Sequence, residues 1–466
     1  RPSLILLGAA LATWLAFLVL TFDRVKAAFL CSLVFLGMFS YAGSERLAWE
    51  VFGAGTVRRT VLFSYPFVLL GAVLVIILWR RLRLRVATSF ANWFGVVLIA
   101  VAILRSVFVG PPENFTPPSQ RDLPGFVAAR KGGGPDIYFI VLDAYARADT
   151  LSRLYDYDNT PFLEAMKKKG FFVPERGRSH YMNTSESFAS CLNMDYLDEL
   201  TPPNTTPPLA DLIQDNEVFH LLKQFDYRTI ALASGYEFTE FRQRADTRFV
   251  PTFLMSEAEV ALLKLTPLPR IMSVLSIDLL HDQHRKRIQY QFKALVEASH
   301  MPGPQPKLVI AHICCPHRPF VFDAKGQNIQ PAYPFSLTDF KRVLGKGQYA
   351  KQYVEQLQHV NTLVERTVTE ILSRAARPPI IIIVSDHGPS PRHLLNVPEE
   401  ELKRSDWEER VKLFALVYFP EGKSRSLSHD ITLVNIWRVV FNAYFGADYP
   451  MLEYRARIPT QPGARR

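Results

Sequence analysis

A run of five β-branched apolar residues, Ile380–Val384, constrains the fold of this chain more than any other segment. Because no polar residue alternates with the apolar ones, the run predicts a strand buried on both faces, as in the parallel sheet of an α/β domain. Asp386 and His387 follow, at the carboxyl end of the strand, where open α/β sheets gather their chemistry. A carboxylate and an imidazole are ligands that zinc accepts. The segment therefore predicts a metal site at this sheet edge.

A second apolar run, Ile137–Leu142, ends directly in Asp143. An acid at a strand end is commonly a helix cap or a salt-bridge partner, so Asp143 alone is an ambiguous candidate. Two buried strands that present acids at one edge indicate more, because the carboxyl ends of parallel strands lie side by side. We expect Asp143 to share one cation with Asp386 and His387.

The chain from Pro135 onward alternates predicted strands and helices. This pattern is typical of an α/β domain with a mostly parallel central sheet flanked by helices. The strand of the first apolar run is predicted over Ile380–Ser385, and the remaining predicted strands are Thr229–Ala233, Leu308–His312 and Leu413–Phe419. The predicted helices include Pro161–Lys169, Glu217–Gln224 and Gln348–Ala375.

Residues 1–110 have a different character and predict a transmembrane helical domain. They hold four apolar stretches of about the 20 residues that a membrane-spanning helix needs. These stretches are Leu4–Phe22, Ala27–Gly43, Val61–Trp79 and Phe90–Gly110. A fifth span ahead of Arg1, missing from the sequence, is an alternative. Residues 111–134, rich in Pro, Gly and charge, read as a linker to a catalytic domain over 135–466.

Basic residues in the short loops predict the orientation, because cytoplasmic loops carry an excess of Lys and Arg. Four arginines lie between positions 80 and 85, in the loop between the third and fourth predicted spans. That loop is then cytoplasmic, and the catalytic domain lies on the extracytoplasmic side of the membrane. The net charge of +10 fits contact with anionic lipid. No nucleic-acid motif accompanies that charge, so we expect no nucleic-acid partner.

The four cysteines leave the redox state open. Cys31 lies in the second predicted span, whereas Cys191, Cys314 and Cys315 lie in the predicted catalytic domain. An oxidising compartment permits a disulfide between Cys191 and one of the adjacent pair. Buried free thiols are the alternative.

A hydroxyl-rich segment, residues 181–191, leads into a short predicted helix. A hydroxyl at a helix N-terminus lies near the positive end of the helix dipole. A nearby metal would lower its pKa and make it a stronger nucleophile. Spacing does not choose among Thr184, Ser185 and Ser187, and an N-cap followed by a polar turn is the alternative.

Two histidines and an arginine lie at the end of the strand predicted over 308–312. His312, His317 and Arg318 suit anion binding and proton donation to a leaving group. His393 lies in the loop after His387. It either contacts substrate or is solvated.

These segments, in this order, resemble the alkaline phosphatase/sulfatase superfamily over roughly residues 135–446. The most specific match is Ser385–Gly388 after a buried strand. Asp143, the helix start at Asn159–Leu163, the loop Pro316–Phe320 and the element His429–Ile431 complete it. Several spans followed by such a domain are similar to bacterial phosphoethanolamine transferases and lipoteichoic acid synthases.

The resemblance implies a multi-pass enzyme of the inner membrane with its catalytic domain on the periplasmic side. It implies that this enzyme transfers or hydrolyses a phosphate-linked group taken from a phospholipid or a cell-envelope glycan. It implies one divalent metal, zinc, with manganese, calcium or magnesium as alternatives. The metal ligands it implies are Asp143, Thr184, Asp386 and His387. The catalytic residues it implies are Thr184, as covalent nucleophile, and His317. The substrate-binding residues it implies are His312, Arg318 and His393.

Departures from the family motifs bear on the reaction. In the transferase motif a threonine precedes a serine by three, as Thr184 precedes Ser187, but here Cys191 comes later and Met194 is not adjacent to it. The sulfatase motif requires an arginine that the segment after Cys191 lacks, and Asp143 is followed by Ala144 rather than a second acid. We therefore expect phosphoryl chemistry. A sulfatase or phosphodiesterase with the same metal site is the alternative, and a non-catalytic glycan- or protein-binding domain is a second one.

Overall fold

The computed structural model describes residues 2–52, 56–78, 134–201, 205–331, 335–337, 344–390 and 403–456, with single-residue gaps at 243, 253, 256, 276 and 376. It also describes the isolated positions 86, 88, 89 and 93. The fourth predicted span, apart from position 93, the linker up to residue 133 and His393 lie outside the described residues. The chain divides into two compact units, Arg1–Asn114 with Met255–Asp278, and Phe115–Leu254 with Leu279–Arg466.

The elements follow one another in an α/β order. The helices are α1 (Pro2–Thr21), α2 (Arg24–Phe52), α3 (Thr56–Leu78), α4 (Ala148–Tyr155), α5 (Thr160–Lys168), α6 (Thr184–Asn193), α7 (Leu197–Leu200), α8 (Leu209–Gln214), α9 (Glu217–Gln224), α10 (Glu257–Lys264), α11 (Leu268–Val274), α12 (Leu279–Ser299), α13 (Lys346–Arg374), α14 (Arg404–Glu408) and α15 (Ile436–Tyr444). The strands are β1 (Ile137–Leu142), β2 (Arg228–Leu232), β3 (Thr247–Phe249), β4 (Lys307–Ile313), β5 (Ile380–Val384) and β6 (Ala415–Tyr418). Short 3₁₀ turns cover Glu237–Thr239, Glu409–Val411, Lys423–Ser426 and Leu433–Asn435.

The first unit is built from apolar helices. Among the described residues, the stretch 24–44 of α2 is the one long and apolar enough to cross a membrane, and shorter apolar stretches cover 7–21 and 67–78. Helices α10 and α11, from much later in the chain, group with α1–α3 in this unit. The backbone N–H of Ala42 donates to the carbonyl of Leu265, 3.3 Å away. Of the four predicted spans, Ala27–Gly43 is thus the one that lies, among the described residues, in a stretch long and apolar enough to cross a membrane.

A six-stranded sheet organises the second unit. Its strand order is β3-β2-β4-β1-β5-β6, and every neighbouring pair is parallel except β5 and β6. The central strand β1 pairs with β4 on one side and β5 on the other, with Leu142 opposite Ile313 and Val141 opposite Val384. This register brings the carboxyl ends of β1, β4 and β5 together at one edge of the sheet.

Hydrophobic cores cover both faces of the sheet, which explains why its central strands are apolar throughout. Along β1, Phe139 and Val141 enter one core, and Tyr138 and Ile140 enter the other. Helices α6 and α15 contribute to the first core, and α12 and α13 to the second. Fully burying one such side chain stabilises a fold by about 1.5–3 kcal/mol. The sheet edge is therefore a rigid base for the loops that follow it.

The predicted strands begin and end within two residues of their expected bounds. The sheet is parallel as predicted except for β6, which pairs antiparallel with β5. The bounds of β1 and α9 are as predicted. The sequence pattern does not predict β3, whose three half-buried residues are too few to show a period. It does not predict α12 either, because polar residues interrupt the buried face of that helix.

Candidate metal centre and active site

The loops after β1 and β5 are joined through one carboxylate oxygen. The chain turns sharply after Asp143, since Ala144 has a φ of 57°. The N–H of Ala144 then donates to Oδ1 of Asp386, 3.1 Å away, and the N–H of His387 donates to the same oxygen at 2.9 Å. Asp386 thus fixes the positions of both loops and keeps its second oxygen, Oδ2, for another partner.

Asp143, Asp386 and His387 form a buried cluster whose potential ligand atoms all lie within 4.8 Å of one another. His387 Nε2 is 3.3 Å from Asp386 Oδ2 and 4.0 Å from Asp143 Oδ1. Neither of these carboxylate oxygens has a hydrogen-bond partner although both are buried. Buried polar atoms are rarely left unsatisfied. The donor set therefore fits a divalent cation held by two oxygens and one nitrogen.

The imidazole of His387 has the tautomer that such a cation requires. Its Nδ1 lies 2.9 Å from the carbonyl oxygen of Gly388. Because a carbonyl only accepts, Nδ1 carries the proton and donates, and Nε2 keeps its lone pair directed at the cluster.

Thr184 is the first residue of α6, and its Oγ1 lies 3.3 Å from His387 Nε2. The helix start thus brings a half-buried hydroxyl to the cluster. Ser187 lies one turn further on and is buried, with its Oγ 3.4 Å from Ser179 Oγ. Ser185 hydrogen-bonds with the side chain of Tyr236. Of the three hydroxyls that spacing left open, the geometry favours Thr184.

His312 lies behind Asp143 and has no exposed surface. Its Nε2 is 3.6 Å from Asp143 Oδ2, and its Nδ1 is 2.8 Å from Thr239 Oγ1. Asp143, His312 and Cys314 form a second group whose potential ligand atoms lie within 4.8 Å of one another. His312 is therefore close enough to orient Asp143 but is enclosed on all sides by protein.

Burial and neighbouring charged groups shift the pKa values of the cluster residues in opposite directions. Burial alone would raise the pKa of Asp143, but the imidazoles of His317, His312 and His387 hold that pKa below its ordinary value. Burial would lower the pKa of His312, yet Cys314 and Asp143 raise it well above the usual value. Strongly perturbed groups that share a site are typical of functional centres.

The loop after β4 brings His317 and Arg318 to the same edge of the sheet, and both side chains are buried. The N–H of His317 donates to the carbonyl of Asp143 at 3.0 Å. Gln356, on α13, donates to the carbonyls of Pro316 and His317 at 3.2 and 3.1 Å. These bonds hold the histidine loop against the loop that carries Asp143.

The sulfatase family model matches residues 135–442, well over half of the 466 residues. This chain belongs to the sulfatase family. The sulfatase-family match covers β1 to α15 and so includes every strand of the sheet and each described residue of the cluster.

Solved structures similar to this sulfatase-family chain include three bacterial proteins. The periplasmic domain of EptC from Escherichia coli, in complex with Zn, is 14% identical, with 69% of this chain and 86% of that one covered and a TM-score of 0.45. The lipoteichoic acid synthase LtaP from Listeria monocytogenes is 14% identical, with 71% and 76% covered and a TM-score of 0.41. The lipooligosaccharide phosphoethanolamine transferase EptA from Neisseria meningitidis is 11% identical, with 83% and 69% covered and a TM-score of 0.44. No curated protein matches the sequence.

Tyr236 also lies near the cluster of this sulfatase-family chain, although it is not among the predicted site residues. Its ring lies 5.9 Å from that of His312. Burial raises the pKa of the Tyr236 hydroxyl, and the nearby Asp143 and Asp386 raise it further. It lies four residues after the end of β2, so its signal in the sequence is a polar side chain in the loop that follows a buried strand.

The cysteines of the sulfatase-family domain are free thiols, as is Cys31. Cys191 packs in the core on one face of the sheet, and Cys315 in the core on the other. The sheet therefore separates these two residues. Cys314 instead lies 4.0 Å from His312 Nδ1. Cys191, Cys314 and Cys315 are thus buried free thiols, the second of the two states that the sequence allowed.

Proposed function

We propose that this protein is a membrane-anchored, metal-dependent enzyme that transfers or hydrolyses a phosphate-linked group through a covalent intermediate on Thr184. The observation that carries the proposal is the 3.3 Å distance between Thr184 Oγ1 and His387 Nε2, beside two buried carboxylate oxygens without hydrogen-bond partners. A nucleophile, a cation site and a helix N-terminus thus converge on one point.

The residues that would hold the metal are Asp143, Asp386 and His387, with Thr184 as fourth ligand. Three oxygens and one imidazole favour zinc, and manganese, calcium and magnesium remain alternatives to be measured. When bound, a divalent cation would neutralise charge on the transferring group and lower the pKa of the Thr184 hydroxyl.

The chain's own groups account for the remaining steps. Thr184 Oγ1, which gives up its proton to solvent once its pKa is lowered, attacks phosphorus, and the bond to the leaving oxygen breaks as the bond to Oγ1 forms. No side chain caps the start of α6, since the amide of Asn183 donates instead to Glu186 Oε2 at 3.0 Å. The first backbone N–H groups of α6 are then placed to stabilise the phosphoryl oxygens. His317 donates the proton to the leaving oxygen.

The second step decides between transfer and hydrolysis. An acceptor hydroxyl or a water molecule gives its proton to His317, which lost one in the first step, and its oxygen attacks phosphorus as the bond to Thr184 Oγ1 breaks. Both versions use the same residues, so the acceptor alone distinguishes them. Sulfate-ester hydrolysis through a modified cysteine fits less well, because Cys191 is buried in α6 and lies seven positions beyond Thr184.

We propose that the substrate lies at the membrane surface. The apolar stretches 7–21, 24–44 and 67–78 support an inner-membrane anchor, and the arginines at 80–85 support a cytoplasmic loop after α3. A multi-pass anchor with an extracytoplasmic catalytic domain would hold the site within reach of a phospholipid donor or a cell-envelope glycan acceptor.

The nucleophile assignment is tested with Thr184→Ala, Thr184→Ser and the matched control Ser185→Ala in the full-length protein. We expect Thr184→Ala to lose at least about 10³-fold in turnover and Thr184→Ser to retain part of it, since a serine hydroxyl reaches the same position. Metal content, measured by mass spectrometry of the purified protein, stays near wild type in all three. Full turnover by Thr184→Ala would reject the proposal. Lipid mass spectrometry of cells with and without the gene identifies donor and acceptor.

A further inference from the structure

Helix α12 carries basic side chains that the proposed reaction does not use. His281, His284 and Arg287 are spaced by three residues and lie along one side of the helix. His284 is only 1% exposed, and neither of its ring nitrogens has a hydrogen-bond partner. A fully buried imidazole without partners is a costly arrangement that normally has a ligand, ion or water to satisfy it.

The ring of Phe335 presents its edge to both histidines. The ring centroid of Phe335 is 5.6 Å from that of His281 and 5.7 Å from that of His284. These contacts hold the two imidazoles on the same side of α12, and both ring nitrogens of His284 stay without a hydrogen-bond partner. The nitrogens of His284 therefore remain available to a polar ligand.

Arg287 reaches from α12 to the loop that follows β2. Its guanidinium lies against Gly235, where a Cβ would collide with it and where the backbone φ of +79° also favours glycine. Gly235 directly precedes Tyr236 of the candidate site. The buried Nε of Arg287 has no hydrogen-bond partner. The guanidinium is thus placed beside the site with donor capacity to spare.

Electrostatics around His284 indicate which ligand fits. Burial, together with Arg287, His281 and His317, lowers the pKa of His284 to about 3, whereas Asp143 opposes them. Asp143, the carboxylate that opposes this lowering, belongs to the candidate metal cluster. The surroundings of His284 therefore have a surplus of positive charge, which favours an anion.

We propose that His284 and Arg287 form an oxyanion subsite that binds a phosphate group of the substrate beside the metal cluster. A neutral imidazole donates one N–H, and a guanidinium donates paired N–H groups in the geometry that phosphate accepts. Among the described residues, neither candidate ligand group contains an α12 side chain, so the subsite is not part of the cluster, and the contact of Arg287 with Gly235 places it near Tyr236. The identity of the ligand as substrate phosphate rests on the proposed function.

The subsite is tested with inorganic phosphate, titrated calorimetrically into the full-length protein after a chelator has removed metal. The variants are Arg287→Gln and His284→Gln, with Lys286→Gln as control. Lys286 is exposed and pairs with Asp282 at 2.7 Å, so its variant removes the same charge from the neighbouring position. We expect phosphate affinity to fall at least tenfold in Arg287→Gln and His284→Gln, and to change less than twofold in Lys286→Gln.

Equal phosphate affinity in wild type and Arg287→Gln would overturn the subsite, and so would a wild type that binds no phosphate. Arg287 is partly exposed, so its variant carries the test if His284→Gln does not fold. The measurement needs no turnover, and its failure is therefore distinct from that of the Thr184 assignment. With substrates in hand, a KM rise in Arg287→Gln for the donor alone or for the acceptor alone identifies the source of the phosphate.

Discussion

His312 and Asp143 face each other across the neighbouring strands β4 and β1, with His312 Nε2 3.6 Å from Asp143 Oδ2. The histidine is itself fixed from two sides. Its Nδ1 lies 2.8 Å from Thr239 Oγ1, and its backbone carbonyl accepts from Gln291 Nε2 at 2.7 Å. A carboxylate oriented by a buried imidazole in this way is a common feature of metal sites, where partners of the ligands tune affinity.

His312→Gln should weaken metal binding without removing a direct ligand. We expect zinc affinity to fall by about 10–100-fold, the usual effect of losing such a partner. Competition with a chromophoric chelator measures it. Thr239→Val should shift the affinity in the same direction by a smaller factor, because it loosens His312 and leaves its contact with Asp143. Unchanged affinity in His312→Gln would show that Asp143 needs no orientation.

Asp386→Asn isolates the ligand role of one oxygen. The amide keeps Oδ1, which accepts from Ala144 and His387, and replaces the unpartnered Oδ2 with an NH₂ group that does not bind cations. We expect metal content to fall below about a tenth of wild type while the metal-free protein melts at a similar temperature. Asp430→Asn, at an exposed ion pair with Arg176, is the control and keeps its metal. Full metal content in Asp386→Asn would contradict the ligand set.

His284 makes stability depend on pH in a defined window. Its pKa is about 3 in the folded protein and 6.5 ordinarily, so between these values the unfolded chain binds a proton that the folded chain does not. Stability therefore falls as pH drops from 6.5 towards 3, by up to about 1.4 kcal/mol per pH unit. The groups that act on His284 are His281, Arg287, His317 and Asp143. The melting temperature of His284→Gln should depend less on pH than that of wild type. His281→Gln tests whether the neighbouring imidazole contributes to this dependence. Equal pH dependence in His284→Gln and wild type would refute the assignment of this pH window to His284.

Gly388→Ala should disturb the loop that carries His387. A Cβ at this position would lie 2.5 Å from the backbone oxygen of Glu409, which cannot rotate away as a side chain does. Overpacking of this kind costs about 1–3 kcal/mol, and it shifts His387 from its neighbours. We expect a lower melting temperature and reduced metal affinity. Gly347→Ala, in α13 with open space around it, should be neutral or stabilising by up to about 1 kcal/mol.

The strand ends of the site are predictable from sequence because burial on both faces leaves a clear apolar run. Ile137–Leu142 and Ile380–Val384 are such runs, and the polar residues after them reach the same edge by the geometry of parallel strands. The order of the strands and the position of β3 are not predictable in this way, because pairing depends on contacts distant in sequence.

The nucleophile is harder to predict, because a shift of one residue in a helix start changes which hydroxyl faces the cluster. Thr184 begins α6, and Ser187, one turn later, faces the interior. Helix α12 escapes prediction for another reason. Its buried face includes His281, His284 and Gln291. These polar residues interrupt the apolar period that normally indicates a helix.

The excursion of residues 255–278 into the first unit has a practical consequence for protein production. The polypeptide passes between the two units three times, after residues 114, 254 and 278. A fragment started at the linker would therefore inherit α10 and α11 together with solvent-facing Leu265, Ile271 and Leu275. A soluble fragment of the catalytic domain would need residues 255–278 replaced by a short loop that joins Leu254 to Leu279.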